Sequence, residues 1–182
     1  NINVLEVQIR ECFGRVVYSH KTQEKCADII QRRHKHLKII QIIISALITT
    51  GLVIKLLGDN QIALYISVIL STILLALNSY TKDYDLGEIM QKHANAANEL
   101  WNVRESYLSL LVDMKSGIVS IDQIIEKRNE LQNKLANIYS GSPRTNSKAY
   151  KEASNALKLT EEMTFSDKEI DAFLPLELRK TK

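Results

Sequence analysis

Two stretches of this chain carry no charge. Between Lys38 and Lys55, and again between Asp59 and Lys82, every residue is neutral, and Ile, Leu, Val and Ala predominate. As helices, residues 39–57 extend about 28 Å and residues 60–80 about 31 Å, each a match for a hydrocarbon core of about 30 Å. The runs predict two transmembrane helices. Buried helices of a soluble bundle would need covering on all sides, and a chain of 182 residues has too little left over to do it. Nearly forty polar-patterned residues precede the first run, so it is expected to stay in the mature protein and not to be removed as a signal peptide.

Only Gly58, Asp59 and Asn60 separate the runs. That trio can turn one helix back antiparallel to the next but can hold no domain, so residues 39–80 are expected to form a hairpin with its turn at 58–60. Arg32, Arg33, Lys35 and Lys38 stand before the first span and Lys82 after the second, whereas the turn offers only Asp59. The excess of cations on one side places both termini in the cytoplasm. The same cluster suits anionic headgroups, at about 1 kcal/mol per basic residue near the surface, although its topological role alone accounts for it. Residues 1–38 hold eight basic and four acidic side chains, against fifteen and sixteen in 82–182. The basic excess thus lies beside the membrane, which points to membrane lipids as the polyanion and away from nucleic acid.

The flanks carry a second pattern. Leu86, Ile89, His93, Ala96, Leu100, Val103, Tyr107, Leu110 and Met114 step by three and four, and upstream Ile2, Leu5, Ile9, Cys12, Val16, Ser19, Gln23, Cys26 and Ile30 do the same. Average usage would give roughly thirteen glycines and nine prolines at this length, against six and two here, and neither membrane boundary has a breaker. Residues 1–38 are therefore expected to run as one helix into the first span, and the second helix to run unbroken from Asn60 to Lys115. The two arms would reach about 50 Å beyond the membrane and pair as a stalk. Gly117 ends the second arm, Ser120 with Gln123 and Ser166 with Glu169 read as capping boxes, and Phe165 with Ile170 has the spacing of a hydrophobic staple. Within 81–182 the expected helices are about 82–116, 120–140, 146–163 and 167–174, with Tyr150, Ala153, Ala156, Leu157 and Met163 on the packed side of the third. The fold class is an all-α membrane protein, a two-transmembrane hairpin extended into a long cytoplasmic antiparallel stalk with further helices packed on it.

Chemistry-bearing motifs are missing from the sequence: no HExxH, CxxC, Gly-rich phosphate loop or GxSxG occurs. Cys12 and Cys26 lie fourteen apart on one seam without ligand-spaced histidines, as buried structural thiols would. His20 falls on a solvated stretch, while His93 in the seam either packs with a partner or biases register and responds to pH. Trp101 reads as packing, and Glu99, Glu105 and Asp113 as an outer charged face. No enzyme, metal or cofactor is expected. In the spans, Gln41, Ser45 and Thr49 recur every fourth residue, as do Ala63, Ser67 and Ser71. These stripes either let the hairpin helices approach and hydrogen-bond or, in an assembly of several hairpins, line an aqueous path.

The order of two short-linked spans after an amphipathic helix resembles the SLATT family. So do His93-Ala94-Asn95-Ala96-Ala97 and above all Tyr139-Ser140-Gly141-Ser142-Pro143-Arg144-Thr145, followed by Ala149-Tyr150 and the run from Ala153 to Leu157. That is a bacterial group of two-transmembrane effector domains associated with nucleotide-signalling conflict systems. The resemblance implies a homo-oligomeric pore-forming or membrane-disrupting effector, an ion channel in effect, of antiphage or abortive-infection defence in the inner membrane. A separate sensor would trigger it, and no catalytic residue carries over. A membrane-anchored helical scaffold that recruits a cytoplasmic partner is the alternative.

Overall fold

The structure, a computed structural model, describes residues 2–58 and 60–180. Every regular element among them is helical: α1 (Ile2–Gly58), α2 (Gln61–Asp83), α3 (Leu86–Ser116), α4 (Ile121–Gly141), α5 (Ser147–Lys158), α6 (Asp167–Phe173) and a closing 3-10 turn at Leu176–Leu178. The expected hairpin turn keeps its flanks, Gly58 ending α1 and Asn60 capping α2, while Asp59 lies outside the described residues. The chain divides into two compact units, a bundle of Asn1–Lys25 with Ala96–Lys182 and a hairpin unit of Cys26–Asn95.

In the bundle the heptad seams do what their spacing predicts. Ile9, Cys12 and Val16 of α1 meet Leu100, Val103, Tyr107, Leu110 and Met114 of α3, and α4 adds Ile124, Leu131 and Ile138 at seven-residue steps. Burying an aliphatic side chain of this size stabilises by about 1.5–3 kcal/mol. Polar ties fix the register, with Arg128 Nη1 donating to Gln8 Oε1 at 3.0 Å and Gln23 Nε2 to the Pro143 carbonyl at 3.3 Å. On α5, Ala149, Ala153 and Ala156 are buried. Small side chains there let α5 lie close, and Tyr18 of α1 stacks on Tyr150 at 5.9 Å between ring centroids.

The capping signals resolve as read. Ser120 and Gln123 bond reciprocally, as do Ser166 and Glu169, and Gly117 takes φ +67°, the left-handed conformation that ends α3. The staple pair Phe165 and Ile170 stays exposed, so the cap holds α6 by itself.

Four expectations need correction. The second helix is not continuous from Asn60 to Lys115, nor does a helix begin at 82. It breaks at Tyr84 and Asp85, where the Asp85 carboxylate accepts the Glu88 N–H at 2.9 Å and starts α3 as a new N-terminus. The helix expected over 146–163 stops at Lys158, because Thr160 and Glu162 turn their N–H groups back to the carbonyls of Asn155 and Ala156 and Glu161 adopts φ 50°. Met163 therefore lies beyond it. Tyr150 is 57% exposed and off the packed face, which the three alanines occupy. His20 is buried, not solvated, with Nδ1 2.9 Å from the Ala97 carbonyl and its ring 5.4 Å from Trp101, since the buried arc of α1 is wider than a two-position seam.

The segment after α5 is clamped to α1 by charge. Glu162 lies 2.7 Å from Lys21 Nζ and 3.3 Å from Lys25 Nζ. Its carboxyl is held below the usual glutamate value, first by the hydrogen bond from Lys21. Burial pulls the Lys21 ammonium down, but hydrogen bonds to Glu162 and Glu24 outweigh it and raise the net value. A lowered carboxyl contributes above its unfolded value and loses that contribution as pH falls through the folded one, and a raised ammonium loses its share only as pH rises through its own. The clamp is thus constant near neutrality and fails below pH 4.5, the ordinary glutamate value. Glu162→Gln is expected to speed amide exchange over residues 159–165 at neutral pH while the alanine face of α5 keeps its protection, a difference that hydrogen-exchange mass spectrometry reads directly.

Candidate functional site

Large aliphatic side chains cover the outside of the hairpin, with Ile42 68%, Ile62 69% and Leu75 67% exposed. Water would tolerate no such continuous surface, whereas lipid favours it. Two helices long and apolar enough to cross a membrane supply it, and only backbone bonding internal to a helix can be sustained there.

The inner faces meet along Gln41, Ile44, Ile48 and Gly51 of α1 and Ala63, Ser67, Leu70, Leu74 and Leu77 of α2, which are half-buried or, for Ser67, fully buried. Gly51 marks the closest approach: a Cβ there would fall 2.2 Å from Ser67 Oγ and 3.2 Å from the Ala63 carbonyl oxygen. Ser67 Oγ donates to the Ala63 carbonyl at 2.9 Å and lies 3.4 Å from that of Ile48. At the other end of the spans, both amide protons of Gln41 are used, one to Asn78 Oδ1 at 3.0 Å and one to Thr81 Oγ1 at 3.2 Å. Close backbones and cross-helix hydrogen bonds are the usual adhesive where no hydrophobic force separates helix from lipid.

The polar stripes are therefore divided. Gln41 and Ser67 face the hairpin partner, but Ser45, Thr49 and Ser71 are exposed on the hairpin's outer surface. A four-residue step advances about 40° around a helix, so three such positions drift from one face to the next. The hydroxyls of Ser45 and Thr49 donate to the carbonyls of Gln41 and Ser45 at 2.8 and 3.0 Å, so each has its hydrogen bond without help from a neighbour. Gly51, Asn78 and Thr81 were not prominent in the sequence pattern. The signal for Gly51 was its standing as the one glycine inside either span.

Before the first span, Arg32, Arg33, Lys35 and Lys38 are exposed, and Arg33 Nη2 donates to the Tyr80 hydroxyl at 3.0 Å. This joins the basic cluster to the ring at the end of the second span. Cys12, Cys26 and His93 are all buried. Burial holds the His93 imidazole below its ordinary value, so it is neutral at neutral pH. Among the described residues, no group of three or more His, Cys, Asp or Glu side chains is placed to hold a metal ion.

A profile of the family described as SMODS and SLOG-associating 2TM effector domain family 4 matches residues 5–169. The match takes in the whole hairpin and most of the bundle, and its description is of a two-transmembrane effector domain, with no catalytic activity named. No curated protein and no solved structure matches the chain.

Proposed function

Because the chain belongs to the SMODS and SLOG-associating 2TM effector domain family, we propose that it is an oligomeric pore-forming or membrane-disrupting effector of bacterial antiphage or abortive-infection defence, released by a separate sensor. One observation carries the pore: the hairpin satisfies itself internally through Gln41 and Ser67, and this leaves the Ser45 and Thr49 hydroxyls on its outer surface. A single hairpin encloses no lumen, so the path would form between copies, with that outer strip toward water. Ion or dye release from liposomes holding the purified protein tests the reading. A protein that assembles and releases nothing under any condition that activates it in cells would sink it.

The membrane is the bacterial inner membrane and both termini are cytoplasmic, an orientation supported by the basic residues ahead of the first span. Asp59→Cys is expected to react with an impermeant thiol reagent outside spheroplasts, and Thr181→Cys is not. Reversed labelling overturns the orientation. The scaffold alternative parts from the pore in one chimaera, since replacing both spans by an unrelated hairpin preserves a scaffold and abolishes a pore.

A further inference from the structure

Two clefts in the bundle unit share a wall of tyrosines. The larger, about 990 Å³, is mainly apolar, lined by Val17, Leu108, Leu157 and Met163, with Arg15, Arg104 and Lys158 beside them. The smaller, about 420 Å³, is lined by Ser142, Pro143, Arg144 and Thr145 of the α4–α5 connection together with Thr22 and Gln23 of α1. Tyr18, Ser19, Tyr139 and Tyr150 belong to both clefts. Tyr139 and the stretch from Ser142 to Thr145, which tie to α1 through the Ser19 hydroxyl and Gln23, thus form a cleft wall.

The chemistry of that wall is specific. Tyr150 is 57% and Tyr139 46% exposed, so two rings remain half in water at a concave surface. Each sits beside a ring or hydroxyl that fixes it, Tyr150 on Tyr18 and the Tyr139 hydroxyl 2.9 Å from Ser19 Oγ. Lys158 Nζ stands 5.8 Å above the Tyr18 ring, and the Arg104 guanidinium 4.6 Å from the Trp101 ring centroid. Four cations, Arg15, Arg104, Arg144 and Lys158, line the two clefts against one acid, Glu11. Arg15 is held by Glu11 and Arg104 by Glu105, but Arg144 and Lys158 make no ion pair among the described residues. The larger volume lies within the range of small-molecule sites.

We propose that the two adjoining clefts bind a soluble organic anion with a planar ring, the ring against Tyr18 and Tyr150, which line both, and its phosphate, sulfate or carboxylate on Arg144 of the smaller cleft. Flat walls edged by hydrogen-bonded phenols suit a ring better than an acyl chain, which would need a closed apolar tunnel. Cations over aromatic faces add to the attraction for a ring that carries negative charge.

Equilibrium dialysis of 1-naphthyl phosphate against the full chain in nanodiscs, with empty nanodiscs as blank, tests this directly. Saturable binding at one per chain is expected. Arg144→Ala, at an exposed position, and Tyr150→Ala, with its thermal unfolding compared with the parent because Tyr150 also stacks on Tyr18, are each expected to weaken it at least about fivefold. Tyr150→Phe, which keeps the ring, and Lys92→Ala, an exposed lysine of the hairpin unit, are expected to leave it unchanged. No saturable binding above the blank overturns the site, as does binding that survives both alanine substitutions. Inorganic phosphate competing as strongly as the naphthyl ester overturns the ring. Dialysis does not pass through flux, so this site and the pore stand or fall separately.

Discussion

Thr49→Leu, and separately Ser45→Leu, are expected to cut ion release from liposomes at least about tenfold, with expression, insertion and oligomer size unchanged. Leucine is favourable at any depth in a span, and both positions are on the outer surface of the hairpin, so neither substitution disturbs the α1–α2 contact. In a hydrated path a hydroxyl replaced by an isobutyl group removes the wall's hold on water and the constriction dewets. Gln41→Leu is expected to behave differently. It removes two hydrogen bonds, to Asn78 and Thr81, and so weakens the hairpin itself, by about 0.6 kcal/mol per bond on the scale measured inside membranes. Thermal unfolding in detergent should register Gln41→Leu and not Thr49→Leu, while flux should register Thr49→Leu. Release equal to the parent from both Ser45→Leu and Thr49→Leu would remove the outer strip from any conducting path. The hydroxyls would then be lipid-facing groups, made tolerable by their bonds to the carbonyls one turn back.

What was legible in the sequence was what periodicity and length dictate. An uncharged run of membrane length has one stable environment, and the seam from Leu86 to Met114 predicted a buried face that includes His93 and Tyr107. Caps were legible for the same reason, since Ser120 and Ser166 each act on a donor three residues away. The misses are non-local or lie at the balance of local terms. Asp85 reads as an ordinary acidic residue until its side chain is seen capping the Glu88 amide, which makes a break where no Gly or Pro stands. The burial of His20 depends on residues 77 positions away, and no window of sequence contains both. Of the polar stripes, the spacing was legible and the division into inner and outer members was not: a residue every fourth position drifts around the helix, and which members face inward depends on where the partner's closest approach falls. That approach is set by Gly51, a residue whose contribution is the absence of a side chain.

Gly51→Ala is expected to destabilise the hairpin by about 1–3 kcal/mol, the usual cost of overpacking a closed contact. Helix propensity alone predicts the opposite sign, because alanine inside a helix is favoured over glycine by about 0.5–1 kcal/mol. Geometry decides between them. The new Cβ would lie 2.2 Å from Ser67 Oγ, so the hydroxyl must rotate away and give up its bond to the Ala63 carbonyl, and at 3.2 Å from that carbonyl oxygen the backbone of α2 must yield as well. Ser67→Ala removes the first obstacle and leaves only its Cβ, 3.6 Å from the added methyl, an ordinary contact. The double variant Gly51→Ala with Ser67→Ala should therefore recover most but not all of the loss, since the Ala63 carbonyl remains. The expected coupling between the two sites is about 1 kcal/mol or more, in the range that contacting residues show in double-mutant cycles. Thermal unfolding of the four proteins in one detergent gives that coupling. Gly51→Leu, too large for any rearrangement of Ser67 to admit, should open the hairpin altogether and abolish release in the flux assay. A Gly51→Ala protein more stable than the parent would mean that α1 and α2 do not approach closely at Ser67, and the division of the polar stripes into inner and outer residues would fall with it.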